Sequence, residues 1–114
     1  MIVTDEQFEY ALDETLSGLK ALLMERRGSH GNSIYDPVGI FSSDSWRDKI
    51  RALIDLKLER VKNHRTEDSL NDSINDLMGY LTLYKVGEVF EAQANDRPET
   101  AVVTPIRGID GKRS

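Results

Sequence analysis

Apolar residues that recur every three or four positions predict three α-helices in this chain. The first pattern begins at Thr4, which with Gln7 fits a capping box, and it continues to about Arg27, just before Gly28. The recurring residues are apolar apart from one threonine, and they are Phe8, Ala11, Leu12, Thr15, Leu19, Leu22 and Leu23. We therefore expect a first helix that starts at Thr4 and stops at Gly28.

A second pattern predicts a helix from Asp44 or Ser45 to Lys62. Its broad apolar face comprises Trp46, Ile50, Leu53, Ile54, Leu58 and Val61. Lys57 lies in the middle of this face. A buried ammonium needs an acidic partner, whereas a long lysine side chain can also extend past its neighbours to water. The sequence leaves both interpretations of Lys57 open.

A third pattern begins after Thr66, a favourable helix cap, and continues to about Phe90. Its apolar stripe comprises Leu70, Ile74, Leu77, Met78 and Leu81. Gly79 lies inside this helix, where glycine costs about 1 kcal/mol relative to alanine. Such a residue predicts the close approach of another helix or of a ligand.

The remaining segments predict one loop and one tail. Residues 28–44 contain three glycines and one proline but also several apolar residues, so we expect a long loop that packs onto the helices. Residues 92–114 contain Pro98, Pro105, Gly108 and Gly111, which exclude a long helix there. The predicted fold is thus all-α: a single helical domain over residues 1–91 with a three-helix core, followed by an extended tail or oligomerisation arm over residues 92–114.

The composition narrows the class of protein. A chain of 114 residues is long enough for one domain, and the absence of cysteine excludes disulfides, a cysteine-based zinc site and a thiol nucleophile. No apolar run approaches the length of a membrane span, and the first residues do not read as a signal peptide, so we expect a cytoplasmic protein. Because three helices of this size are marginal alone, we also expect a homo-oligomer, with Gly79 and the tail as candidate contacts.

The net charge of −5 hides an uneven distribution. Residues 26–65 hold nine lysines and arginines against five acids, whereas residues 1–25 and 66–91 are both acidic. A basic middle segment can bind an anionic ligand, or it can form ion pairs with the acidic helices beside it. The acidic flanks disfavour a nucleic-acid partner.

Two sets of residues carry candidate chemistry. Arginines beside a glycine-bearing turn can hold phosphate, and aromatic rings can stack on a base. The candidate ligand-binding residues on these grounds are Arg26, Arg27, His30, Asn32, Trp46 and Tyr80. The phosphate-binding hypothesis adds Lys57 and Arg60 from the basic middle segment. Carboxylates one helical turn apart on two helices can instead share Mg²⁺, or they can form a solvated acidic surface. The candidate metal ligands are Asp55, Glu59, Asp72 and Asp76.

The order of several short motifs resembles a known family. Arg27-Gly28-Ser29-His30-Gly31-Asn32 precedes a helix with Ile54-Asp55-Leu56-Lys57-Leu58-Glu59-Arg60-Val61, and then follow Glu67-Asp68-Ser69, Asp72 and Asp76-Leu77-Met78-Gly79-Tyr80-Leu81. This order, over about residues 20–90, resembles small phage and prophage proteins of the nucleotide modification associated domain 1 type. The chain departs from that pattern at His30, where tyrosine is usual, and at Leu56, which separates Asp55 from Lys57.

The resemblance implies a helical domain linked to nucleotide metabolism in phage-infected bacteria. The matching residues are Gly31, Asn32, Asp55, Lys57, Arg60, Asp72, Asp76 and Tyr80. The match also suggests that Lys57 pairs with Asp72 or Asp76. A more distant likeness is to MazG-type all-α nucleotide pyrophosphohydrolases, which pair a Glu-x-x-Glu on one helix with a second metal-binding motif on the next. Here the Glu-x-x-Glu from Glu88 to Glu91 lies at the far end of the last helix and lacks that pairing, which counts against hydrolysis.

Three functional hypotheses follow. The first is a phage-type protein, acting in the cytoplasm of a bacterial host, that binds a nucleotide or a nucleotide-derived signal without a cofactor and so sequesters a host defence signal. The second is a Mg²⁺-dependent nucleotide pyrophosphohydrolase that uses the four carboxylates as metal ligands. The third is an interaction protein without a small-molecule ligand.

Overall fold

The described part of the chain consists of three α-helices and their connections. The computed structural model describes residues 1–36 and 45–95, with α1 at Asp5–His30, α2 at Trp46–Lys62 and α3 at Glu67–Asn95. The two described ranges contain no strand, so the all-α prediction is confirmed. Residues 37–44 of the predicted loop and residues 96–114 of the predicted tail lie outside the described residues.

Two helix ends differ from the sequence prediction. The first helix does not stop at Gly28 but continues to His30, and the last helix extends past Phe90 to Asn95. Gly31 ends α1 because it takes a positive φ of 62°, which favours glycine, and its N–H donates to the Arg27 carbonyl at 2.7 Å. The loop therefore begins at Gly31, and the predicted tail loses its first four residues to α3.

Each helix begins at a side-chain cap, which the sequence predicted at Thr4 and Thr66 and narrowed to Asp44 or Ser45 for α2. The Thr4 hydroxyl accepts the Gln7 N–H at 3.1 Å and the Gln7 side chain accepts the Thr4 N–H at 2.9 Å, which completes the capping box. Ser45 caps α2 by accepting the Asp48 N–H at 3.2 Å. Thr66 caps α3 by accepting the Ser69 N–H at 3.0 Å. Local hydrogen bonding thus sets the three helix starts.

Helices α2 and α3 form an antiparallel pair, and α1 lies against α3 over a short stretch only. Ile50 on α2 is completely buried in this pair. At the other contact, α1 meets α3 at Gly79, where an added Cβ would lie 3.4 Å from the Leu23 Cδ2 atom. The close approach predicted at Gly79 is therefore made by α1 of the same chain, and Gly79 is buried beneath it.

The indole of Trp46 occupies a notch in α3. An added Cβ at Gly87 would overlap the indole ring, with three ring atoms closer than real Cβ atoms approach. Tyr35 and Tyr84 flank the indole with ring centroids 5.7 and 5.8 Å away. Trp46 therefore fixes the open end of the helix pair, and Gly87 is the residue that makes room for it.

None of the helices in residues 1–36 and 45–95 combines the length and the apolar composition needed to cross a bilayer.

We predict that Gly87→Ala destabilises the protein, because overpacking costs about 1–3 kcal/mol and the helix-propensity gain of alanine is only about 1 kcal/mol. Gly18→Ala is the matched control, since it lies in the middle of α1 with no atom within 4 Å of an added Cβ. This control should be stabilised by up to about 1 kcal/mol. Urea unfolding of both variants measures the difference, and equal stability of the two would contradict the notch.

Candidate functional site

One carboxylate on α3 contacts a cation from each of the other two helices. The Asp76 Oδ1 atom accepts a hydrogen bond from Arg26 on α1 at 2.9 Å, and Oδ2 lies 2.9 Å from the Lys57 ammonium on α2. The Lys57 side chain is only 11% exposed, so Asp76 supplies the partner that its buried charge requires. The predicted pairing of Lys57 is thus confirmed for Asp76. We call Arg26, Lys57 and Asp76 the interhelical triad.

The triad alters the titration of its carboxyl group. Burial by itself raises the pKa of Asp76, but the hydrogen bonds and charges of Lys57 and Arg26 outweigh burial and hold the pKa below its ordinary value of 3.8. A carboxyl whose pKa is lower in the folded chain stabilises the fold above its ordinary pKa. That stability is lost as the pH falls through the lowered pKa.

A groove of about 880 Å³ lies between α1, the turn that follows it, α2 and α3. We call it the interhelical groove. Its apolar wall includes Leu19, Leu23, Ile34, Leu53, Leu83 and Phe90. Its polar part brings together four predicted ligand-binding residues, namely Arg26, Arg27, His30 and Tyr80, and adds Lys20 and Lys49. The sequence predicted the first four but gave no reason to place the two lysines beside them.

The cations of the interhelical groove differ in what they already bind. Arg26 pairs with Asp76. Arg27 donates to the Asn32 side-chain oxygen at 3.3 Å, which places the predicted Asn32 at the groove edge, and Lys49 donates to the Ser33 carbonyl at 3.4 Å. Within the two described stretches, Lys20, Arg27 and Lys49 make no ion pair with a carboxylate.

Two tyrosines line the interhelical groove in different ways. The Tyr35 hydroxyl donates to the Leu83 carbonyl at 2.7 Å, and burial raises the pKa of Tyr35 to about 12, although the charge of Arg27 lowers it. Its ring is held edge-on to Phe90 at 5.3 Å. Tyr35 is therefore a fixed, neutral part of the wall, whereas the Tyr80 ring is the predicted aromatic surface that faces the groove.

A second cavity of about 560 Å³ lies where α2 turns into α3. We call it the hairpin cavity. Five predicted site residues line it: Lys57, Glu59, Arg60, Asp72 and Asp76. His64 and Arg65, which the sequence did not single out for binding, line it as well. Its three lysines and arginines face three carboxylates, so the cavity carries no clear preference for an anion.

The carboxylates proposed for Mg²⁺ do not assemble into a metal site. Among residues 1–36 and 45–95, no group of three or more histidine, aspartate or glutamate side chains is placed to hold a metal ion. Asp55 is exposed and lines neither cavity, and both oxygens of Asp76 already contact cations. The four residues therefore do not fit a shared divalent cation in this arrangement.

The structure shows a polar cluster around Trp46 that sequence reasoning missed. Arg47 lies over the Trp46 and Tyr84 rings at 4.8 and 5.1 Å, donates to the Tyr84 hydroxyl at 2.8 Å and pairs with Glu88 and Glu91. The Tyr84 hydrogen bond is the largest cause that raises the pKa of Arg47, and it lowers the pKa of Tyr84. Trp46 itself donates to Glu91 at 3.0 Å and lines neither cavity.

We predict that Asp76→Asn destabilises the protein by about 2–3 kcal/mol at pH 7, because it leaves the buried Lys57 charge without a carboxylate. The stability difference from the unsubstituted chain should shrink as the pH falls from about 5 towards 2, since the wild-type carboxyl is then protonated too. Urea unfolding at a series of pH values measures both effects.

Asp72→Asn is the matched control, because Asp72 lines the same hairpin cavity one helical turn away and forms no ion pair within the described residues. It should change stability by less than about 0.5 kcal/mol. Equal losses in the two variants, or a loss in Asp76→Asn that does not depend on pH, would contradict the triad.

Comparison of the chain with protein-family models, with curated proteins and with solved structures found no match.

Proposed function

We propose that the interhelical groove binds a nucleotide or a nucleotide-derived phosphorylated molecule. The observation that supports this most strongly is the charge of the groove, where the described lining residues include the cations Lys20, Arg26, Arg27 and Lys49 and one carboxylate, that of Asp76. Asp76 is already neutralised by the triad. A phosphate that enters the groove therefore meets an excess of positive charge and little repulsion.

The apolar wall fits the other part of such a ligand. Leu19, Leu23 and Leu53 offer aliphatic surface, and Tyr80 offers a ring on which a base can stack. A volume of about 880 Å³ is within the range of small-molecule sites. The described residues that line the hairpin cavity include no aromatic side chain apart from His64 and carry balanced charge, so the groove is the better candidate of the two.

The proposal is binding rather than hydrolysis. Among the described residues that line the groove, Asp76 is the single acid and is paired with two cations, so they do not form a set of metal-holding carboxylates. The Mg²⁺-dependent hydrolase stays a prediction. One use of such binding would be to sequester a signal nucleotide in a phage-infected cell, which requires that the ligand is held tightly and is not cleaved.

Isothermal titration of the full chain with nucleoside mono-, di- and triphosphates and with cyclic dinucleotides tests the proposal. We expect heat from at least one of them and recovery of that nucleotide unchanged. Lys49→Ala and Arg27→Ala should each weaken binding about 10- to 100-fold, as expected for the loss of a charge-assisted hydrogen bond. Lys62→Ala is the matched control, because it removes an exposed cation from α2 that lines neither cavity.

The outcomes separate the alternatives. No heat from any nucleotide would contradict the proposal and favour an interaction protein. Binding that is weakened by Arg60→Ala but not by Lys49→Ala would place the ligand in the hairpin cavity instead. Turnover that requires Mg²⁺ and is lost in Asp72→Asn would favour the hydrolase.

A further inference from the structure

The first half of α1 has no partner among the described residues. All fourteen residues from 5 to 18 are exposed, and no residue of α1 is buried. At 1.5 Å per residue this half is about 21 Å long. Isolated helices of this length are marginal in water, so their stability normally comes from an apolar face that packs against another surface.

The exposed half carries such an apolar face. Phe8, Leu12 and Leu16 are 61%, 42% and 52% exposed. The positions on this face alternate in steps of four and three residues, which is the spacing of a coiled-coil seam. They are Phe8, Leu12, Thr15, Leu19 and Leu22. Tyr10 lies on the opposite side of the helix. The face is continuous with the interhelical groove, because Leu16, Leu19 and Leu23 line the groove.

The rest of the described chain buries little apolar surface. Ile50 is the one apolar side chain that is buried among residues 1–36 and 45–95. Domains that cannot build a sufficient core alone are completed by disulfides, metals or association, and this chain has no cysteine for a disulfide. A symmetric pair is the simplest way to cover a face that every copy presents, since the same patch is used on both sides.

The charges of α1 determine how two copies would align. Residues 5–19 contain five acids and no lysine or arginine, whereas residues 20–30 contain Lys20, Arg26 and Arg27 against Glu25. A parallel pair would place the acidic halves against each other. An antiparallel pair places the acidic half of each helix beside the basic half of the other, which is electrostatically favourable.

We propose that α1 docks antiparallel against α1 of a second copy and forms a symmetric dimer. In this dimer the acidic first half of each α1 covers the apolar wall at the open side of the partner's interhelical groove. The inference goes beyond nucleotide binding and does not depend on it, although Lys20 and Arg27 take part in both. It is therefore tested without nucleotide.

The molar mass of the full chain, measured by light scattering after size exclusion, tests the dimer. We expect twice the 12.9 kDa of one chain. Leu12→Asp should raise the dissociation constant by at least about 100-fold, because a symmetric interface carries the substitution twice. Tyr10→Asp is the matched control on the opposite face and should remain a dimer. Circular dichroism of both variants checks that the helices persist.

A second measurement tests the orientation. The chain has no cysteine, so a single introduced cysteine can form a disulfide only with the same cysteine of a second copy. Leu16→Cys lies near the midpoint of the proposed antiparallel pair and should form an intermolecular disulfide under oxidation. Phe8→Cys lies near one end, where an antiparallel partner presents a different part of the helix, and should not. Efficient cross-linking of Phe8→Cys would overturn the antiparallel arrangement.

Other occupants of this face give different results. A monomeric wild-type chain would overturn the proposal, and hydrogen exchange of residues 5–18 would then show whether another segment of the same chain protects them. An oligomer that Leu12→Asp leaves intact would also overturn it, because its interface would lie elsewhere. Neither result decides whether the groove of a single copy binds a nucleotide, so the two proposals can fail separately.

Discussion

The arrangement of the three helices depends on the carboxylate of Asp76. Its two oxygens face opposite neighbours, with Arg26 of α1 on one side and Lys57 of α2 on the other. Lys57 is the more deeply buried partner, and a buried ammonium without a carboxylate is costly. The α2–α3 pair therefore needs Asp76 for its charge balance as well as for its packing, whereas α1 gains from Asp76 one of its few attachments to the rest of the chain.

This unequal attachment explains where the open surfaces lie. Helices α2 and α3 contact each other extensively, but α1 is held near Leu23 and Arg26 and then diverges. The divergence leaves the interhelical groove beside the second half of α1 and an uncovered apolar face on its first half. Both candidate functional surfaces thus result from a helix that is anchored at one end by the triad.

Much of this arrangement could be predicted from local patterns. The caps at Thr4 and Thr66 act over three residues and could be predicted, as could the close approach at Gly79 and the unusual position of Lys57. The start of α2 could be narrowed only to Asp44 or Ser45. The sequence predicts the end of α1 at Gly28, whereas the helix ends at Gly31. The sequence alone does not show which glycine takes the positive φ. Tertiary pairing was harder to foresee. Glu88 and Glu91 have the Glu-x-x-Glu spacing of the MazG-type proteins, yet in this structure both form ion pairs with Arg47.

The split of α1 into an acidic and a basic half connects the two proposals. Lys20 and Arg27 line the groove and also belong to the basic half that an antiparallel partner would neutralise. The same cations cannot be neutralised fully by a phosphate and by a partner's carboxylates at once. If both events occur, each must weaken the other by the same factor, since coupling between two binding equilibria is reciprocal. The net charge of −5 does not show this competition, because it sums over the whole chain and conceals that the two halves of α1 carry opposite charge.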